Sequence, residues 1–407
     1  MTPRDFLSTY RPEAQHNLSH GACANASLAV GAGDVVGIVL LERGGPQHAD
    51  EAESFLYRLL MDPAAVDIPV GGVLRHWLCR SLAWVHAGTL QEKYAMIGGS
   101  SPANRLVREQ AHTLKTLLHR SQRPDGSGSP FHVYAALRHG TPSFEGTVQR
   151  MIDDGVTRVV LLPLHPHYSE ATTGAMLAYW AALHDAGERP DWPTTTVCDY
   201  ATHPKYIQAL SERIDEGLQR FPSSKRCDVP IVFSTLGLPD VVPSALRSQA
   251  VPAGSRHDVQ PTVDALLTSH PDRRPHHVAF EHHSRWSDGV APALSKTLTS
   301  LAEAGHRSVL VVPLAFVTDH VETTCELDIE MREYATDLGF SRYEVASSLN
   351  SHPLFIEALA EVTGAHLQFS SDAAAPVSFE GDGTSDDRPL PSLSPRSSSA
   401  DCDTSDE

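Results

Sequence analysis

Along the middle of the chain, short apolar runs rich in β-branched residues alternate with longer stretches in which apolar positions recur every three or four residues. The runs predict strands at Val36–Leu41, His132–Leu137, Arg158–Leu164, Thr195–Cys198, Pro230–Ser234, His277–Phe280 and Ser308–Leu314. The amphipathic stretches predict helices over Glu51–Leu60, Asn104–Leu118, Phe144–Asp153, Thr173–His184, Lys205–Arg220, Val259–Thr268, Ala293–Glu303, Glu322–Thr336 and Pro353–Glu361. Apolar strands separated by helices read as βαβ units, so the expected class is α/β with parallel sheets covered on both faces.

The pattern also repeats. "GVTRVVLLPL", Gly155 to Leu164, matches "GHRSVLVVPL", Gly305 to Leu314, and "IVLLERGGP", ending at Pro46, resembles "IVFSTLGLP", ending at Pro239. Strand ends that recur in the same order imply two similar halves with a cleft between their carboxyl edges, where open α/β sheets bind ligands. The expected division is a loose N-terminal extension over 1–34, a first half over 35–200, a second over 201–368 and a tail over 369–407. The tail is rich in Ser, Asp and Pro, and its few large apolar residues cannot offset the entropy of ordering it.

A chain of 407 residues exceeds one ordinary hydrophobic core, which agrees with two halves. Its net charge of −18 disfavours nucleic acid as a partner, because phosphate binding needs a cationic surface. No apolar run approaches the roughly 18–20 residues that cross a bilayer, and the start lacks the pattern of a secretory signal. Cys23, Cys79, Cys198, Cys227, Cys325 and Cys402 show no CxxC spacing, which argues against a zinc knuckle, a redox pair or a disulfide scaffold. They fit a reducing cytoplasm.

Candidate chemistry gathers at the strand ends. In "FVTDHVETTCELDIEMREY", Asp319 can cap a helix on which Glu322, Glu326 and Glu330 stack as one acidic ridge. Like charges at that spacing disfavour an isolated helix by about 0.2–0.5 kcal/mol per pair. Water offsets this on a solvated face. Facing a cleft, the same carboxylates with His320 beside them offer oxygen and nitrogen ligands to a divalent cation. In "LPLHPHYSEATTGAML", the hydroxyls of Tyr168, Ser169, Thr172 and Thr173 and the free N–H groups of a helix start suit an anion, although ordinary capping also explains the threonines. "YAALRHGTP" supplies Arg138 and His139, where an arginine suits a carboxylate or a surface ion pair. "YAMIGGSSP" is a Gly/Ser loop able to lie over a planar ligand or simply to turn.

Together with "LLERGGPQHADEAESFLYRLLMDPAAVDIP", "FSTLGLP" and "LNSHPLFIEAL", these motifs resemble the ferrochelatase family in order and approximate spacing, from Val35 to Gly364. The resemblance implies two Rossmann-like, chelatase-type halves around a porphyrin cleft, and insertion of ferrous iron into that porphyrin in haem biosynthesis. It implies protoporphyrin or coproporphyrin and Fe²⁺ as substrates, with no permanently bound cofactor, no iron–sulfur cluster and at most peripheral membrane contact. By the same resemblance, Glu322 and His320 are the catalytic candidates, and Asp319, Glu322, Glu326 and Glu330 are the metal candidates. The substrate-binding candidates are Arg43, Arg138, His139, Tyr168, Ser169, Thr172, Thr173 and Leu236.

Two positions depart from the family's pattern. Leu236 fills the place of a histidine proposed to take pyrrole protons or ligate the metal, and Arg43 fills a place commonly held by Met, Leu or Tyr. The loop usually reading Tyr-Pro-Gln-Tyr-Ser is here His165-Pro166-His167-Tyr168-Ser169, and Arg-Tyr is here Arg138-His139. A neutral imidazole accepts a proton near pH 7, whereas leucine cannot. Arg43 adds a fixed charge that repels Fe²⁺ unless Glu42, Glu322 or a porphyrin carboxylate pairs with it. Slow or impaired insertion is therefore expected. The alternatives are a non-catalytic porphyrin or haem carrier or sensor, and a chelatase for another tetrapyrrole or metal.

Overall fold

A computed structural model of the chain describes residues 1–10, 27–66, 68–119, 129–235, 259–269, 275–280 and 293–369. Leu236 and the expected tail from residue 370 onward lie outside the described residues.

Strand β1 (Leu28–Val30) pairs in parallel with the last strand, β10 (Leu367–Phe369). The first sheet holds β2 (Val36–Glu42), β3 (Phe131–Leu137), β4 (Arg158–Pro163) and β5 (Thr194–Thr196), all parallel, in the order β3-β2-β4-β5. The second holds β6 (Ile231–Thr235), β7 (His276–Phe280), β8 (Ser308–Pro313) and β9 (Arg342–Val345), again parallel, in the matching order β7-β6-β8-β9. The repeated strand endings thus mark a repeated topology. In each half the chain leaves its first strand toward one side and returns on the other, so a crevice opens between the ends of β2 and β4, and another between β6 and β8.

The helices are α1 (Pro3–Thr9), α2 (Ala52–Met61), α3 (Gly72–Met96), α4 (Pro102–Leu118), α5 (Phe144–Asp153), α6 (Ala175–Asp185), α7 (Pro204–Gln219), α8 (Gln260–Ser269), α9 (Leu294–Glu303), α10 (Met331–Asp337) and α11 (Pro353–Ala365), and all but α1 and α3 fall on expected segments. Two helix starts are wider than expected: Glu170–Gly174 ahead of α6 and Glu322–Glu330 ahead of α10 are π-helical, a form often found at functional sites. The 25-residue α3 is unpredicted. It carries apolar residues on both faces, leaving Val73, Leu74, Trp77, Trp84 and Val85 exposed, which erases the one-sided pattern that betrays a helix.

The halves share one core. Ile38, Leu40 and Leu162 of the first sheet join Phe233, Leu310 and Val312 of the second in a continuous cluster, completed by Tyr206 of α7 and by Phe355 and Leu359 of α11. Burial of each such side chain is worth roughly 1.5–3 kcal/mol. The boundary near residue 200 therefore separates sheets rather than cores.

Two expectations need correction. The first ten residues are not loose: α1 opens with a capping box between Thr2 and Asp5, and Phe6 is buried edge-on against Tyr179, 5.1 Å away. Cys198 and Cys227 are disulfide-bonded, whereas Cys79 and Cys325 are free and buried. Among the described residues no helix is long and apolar enough to cross a membrane.

Candidate active site at the facing strand ends

Three of the quoted loops form one packed unit. The Asn104 side chain accepts from the Gly45 N–H at 3.2 Å and donates to the Gly45 carbonyl at 2.8 Å, fastening the turn after β2 to the start of α4. A Cβ on Gly45 would lie 2.6 Å from Ser101, and one on Gly140 would lie 2.6 Å from Asn104 Oδ1. Glycine is required where these backbones meet. This packing sets where Arg43 leaves the sheet.

From there Arg43 reaches across to the second half. Its Nη2 donates to Glu322 Oε1 at 2.5 Å, while its guanidinium carbon stands 5.4 Å from the centre of the Phe316 ring. Of the partners open to Arg43, Glu322 is the one used. Burial alone would raise the Glu322 pKa, but the charges of Arg43 and then His320 outweigh it and hold it at about 2. A carboxylate so held suits a cation better than it accepts a proton. Two buried atoms of the pair, Arg43 Nε and Glu322 Oε2, have no hydrogen-bond partner.

Beneath this pair lies Glu42, fully buried at the end of β2. His320 Nε2 is 3.4 Å from its Oε1 and His165 Nε2 is 3.7 Å away, so one imidazole from each half flanks one carboxylate. Burial opposes the Glu42 charge, yet His165, His320 and the Arg43 N–H lower its pKa to about 2. Burial lowers the pKa of His165, and the opposing pull of Glu42 does not reverse it. Phe316 packs against both rings, with centroids 4.8 Å from His320 and 6.3 Å from His165.

The acidic ridge faces neither plain solvent nor an open ion path. Lys93, on α3 of the first half, places its ammonium 2.9 Å from Glu326 and 3.0 Å from Glu330. Burial works against that charge, but the two carboxylates more than offset it and raise the Lys93 pKa. Protein cations therefore relieve the like-charge repulsion along the ridge. Asp319, expected as a metal ligand, is held elsewhere: it accepts from Asn350 Nδ2 at 2.8 Å and from the Thr323 hydroxyl at 3.2 Å, and its own N–H donates to Asn350 Oδ1. No three His, Cys, Asp or Glu side chains among the described residues are grouped to hold a metal ion.

Arg138 also differs from expectation. Its Nε lies 2.9 Å from Asp62 Oδ2, whose side chain is wholly buried, and its guanidinium is stacked 3.4 Å from the Tyr179 ring centre, with the Phe6 ring, packed against Tyr179, 5.2 Å away. Its counter-ion is the protein's own Asp62 rather than a ligand's carboxylate. His139 is buried beside it, and burial, followed by the charges of Arg138, Arg58 and Arg43, keeps its pKa well below the ordinary value. In the first half's π-turn, Ser169 and Thr172 share a hydrogen bond of 2.7 Å, Thr173 is buried and Tyr168 half-buried. That segment meets the central group through His165 at its start. Leu236 lies outside the described residues.

Sequence reasoning missed Lys93, Asp62 and Asn350, and saw Glu42 only as a partner for Arg43. Nothing in the sequence marks Lys93, because its helix was unpredicted. The Glu42–His165 contact had a signal: both residues stand within or beside positions that depart from the family's pattern.

Two doubly wound halves, joined at their strand ends by an arginine–glutamate pair over a buried carboxylate and two imidazoles, define an α/β protein whose charged groups gather where the halves meet. A family profile described as ferrochelatase matches residues 35–367. The chain is 33% identical over 328 residues to a ferrochelatase of Geobacter sp. strain M21, covering 80% of this chain and 96% of the relative. It is 32% identical over 354 residues to one from Synechococcus sp. strain JA-3-3Ab, covering 85% and 97%. A mitochondrial ferrochelatase of Gallus gallus is 32% identical over 334 residues, covering 82% and 80%. The chain belongs to the ferrochelatase family, and so among the metal-insertion enzymes.

Proposed function

We propose that the protein binds a porphyrin, protoporphyrin or coproporphyrin, between its halves and inserts ferrous iron into it slowly, as a step of haem biosynthesis. The contact of Arg43 with Glu322 carries this reading: at the facing strand ends it leaves one guanidinium N–H and one carboxylate oxygen unused, in a chain of this family. Glu322 then serves to hold the incoming cation, and proton removal falls to His320 or to water. General-base assistance is typically worth about 10²–10⁴-fold, so a chain with Leu236 in the histidine's place retains bending and metal delivery but loses much of its rate. The reading gives the protein at most peripheral membrane contact.

A second reading, a porphyrin carrier without turnover, is favoured by one feature: Arg43 already neutralises Glu322. Absorbance titration and anaerobic metalation separate the two. A Soret shift at micromolar porphyrin with measurable insertion supports the enzyme; a shift without insertion supports the carrier; no shift removes both.

A further inference from the structure

We infer that Gln110 is a positioning residue: through it and Asn104, helix α4 holds the loops that carry Arg43 and Glu322 at a fixed separation, acting as a spacer for the site. The inference rests on the reading of that arginine–glutamate pair as part of the reaction site. It starts from an anomaly of pattern. The buried face of α4 is apolar at Leu106, Val107, Ala111 and Leu114, yet it also buries Asn104 and, completely, Gln110. A buried amide is costly unless it is hydrogen-bonded, so these two serve contacts rather than packing.

Each amide serves a different half. Asn104 holds both backbone groups of Gly45, two residues beyond Arg43. Gln110 Nε2 donates to the Thr318 hydroxyl at 3.0 Å and to the Asn350 carbonyl at 2.8 Å, and Thr318 donates back to Gln110 Oε1 at 3.2 Å. These targets follow β8 and β9 of the second half. Asn350 has a φ of 48°, unusual for a residue other than glycine, and local hydrogen bonds hold it there. Its N–H donates to the Val317 carbonyl at 2.7 Å, and its side chain forms a reciprocal pair with Asp319 at 2.8 and 3.0 Å. Asp319 accepts from the Thr323 hydroxyl, which accepts the His320 N–H at 3.0 Å. The segment from Val317 to Thr323 is therefore fastened to Gln110, and Glu322 lies within it. Six residues of helix separate the two amides, about 9 Å of rod. One amide fixes where Arg43 leaves the first sheet and the other fixes where Glu322 enters its π-turn. Asp319 is then an anchor of that turn.

The test is a set of double-mutant cycles on full-length protein, read by urea unfolding. The Arg43–Glu322 coupling is taken from Arg43→Met, Glu322→Gln and the two together, first in the parent and then in Gln110→Leu, which keeps most of the side chain's bulk and removes its amide. In Gln110→Leu the coupling should fall by at least about half. Leu114→Ala, which removes packing from the same helix but no hydrogen bond, should leave it unchanged. A Gln110 that merely stabilised the fold would lower stability equally in every background. A coupling absent from the parent, undiminished in Gln110→Leu or lost equally in Leu114→Ala therefore overturns the proposal. Should Gln110→Leu fail to fold, Asn104→Asp, which keeps the acceptor for the Gly45 N–H and loses the donor, takes its place at the other end of the spacer. Metalation gives a second readout: Gln110→Leu should slow the initial rate about tenfold in the parent and less than about twofold in Glu322→Gln. Equal slowing in both backgrounds also overturns it. A Soret titration on the same samples keeps the outcomes distinct: porphyrin binding with an undiminished coupling sinks this inference alone, whereas no porphyrin binding sinks the reading beneath it.

Discussion

Arg43 and Arg138 leave adjacent parallel strands at matching positions, one residue beyond the paired Glu42 and Leu137, yet they end in opposite circumstances. Arg138 lies on the Tyr179 ring, beside Phe6, against an Asp62 that also accepts the N–H groups of Ala64 and Ala65. Arg43 meets Glu322 across the cleft, and these side chains are 20% and 11% exposed against 11% and 0% for Arg138 and Asp62; each pair leaves one polar atom of each partner without a hydrogen bond. Chemically the two pairs are alike. The difference lies in what surrounds them: the first braces the fold, and the second is poised to exchange partners. An arginine at a strand end is therefore no guide to function until its counter-ion and its surroundings are known.

The largest effect expected from this contrast is on stability. Asp62→Ala strands a buried guanidinium and two backbone donors, and should destabilise the protein by about 3–5 kcal/mol in urea unfolding. Arg43→Met should cost less, because Glu322 keeps His320 beside it and its side chain is 11% exposed, against 0% for Asp62. Comparable losses from both would erase the distinction.

On activity the order reverses. Glu322→Gln should lower metalation on the order of 10²-fold, while Glu330→Gln, at the outer end of the ridge, should lower it only a few-fold. Initial rates with Fe²⁺ or Zn²⁺ under anaerobic conditions measure both. Equal, negligible effects would return the ridge to a structural role.

A smaller, sharper effect concerns coupling. Leu236→His alone should recover little while Arg43 stands across the ring, and Arg43→Met with Leu236→His should exceed the product of the single effects by a coupling of about 0.5–3 kcal/mol. Strict additivity would place the two residues in separate environments.

The smallest effect is acid stability. The Glu322 pKa is depressed from 4.5 to about 2, so its contribution is complete above the unfolded value and fades as pH falls from about 4.5 toward 2. The stability advantage of the parent over Glu322→Gln should therefore narrow between pH 5.5 and pH 3.5. A constant gap across urea midpoints in that range would contradict the depressed value.

How much of this was legible follows from the physics of each element. Strands β2, β4, β6 and β8 announce themselves because strands buried on both faces read as near-continuous apolar runs, and the repeat of their endings exposed the paired topology before any coordinates. The short edge strands β1, β9 and β10 carry too few residues for such a pattern. Helix α3 escaped because its apolar residues encircle it, and Lys93 escaped with it. The ridge was legible as a like-charge column needing a counterweight, but a sequence cannot say whether water, metal or lysine supplies it. Arg138 was misread for a related reason. Its carboxylate lies 76 positions away at Asp62 and its stacking ring 41 positions away at Tyr179, contacts that only the folded chain brings together.

The most direct test is the initial rate of Fe²⁺ insertion by the parent protein under anaerobic conditions, beside an ordinary ferrochelatase, with porphyrin binding confirmed by absorbance on the same sample. The account predicts a clear Soret shift at micromolar porphyrin and insertion slower by at least about 10²-fold. An ordinary rate would show that neither the missing histidine nor the Arg43–Glu322 pair limits the chemistry. Absence of porphyrin binding would contradict the account at its root.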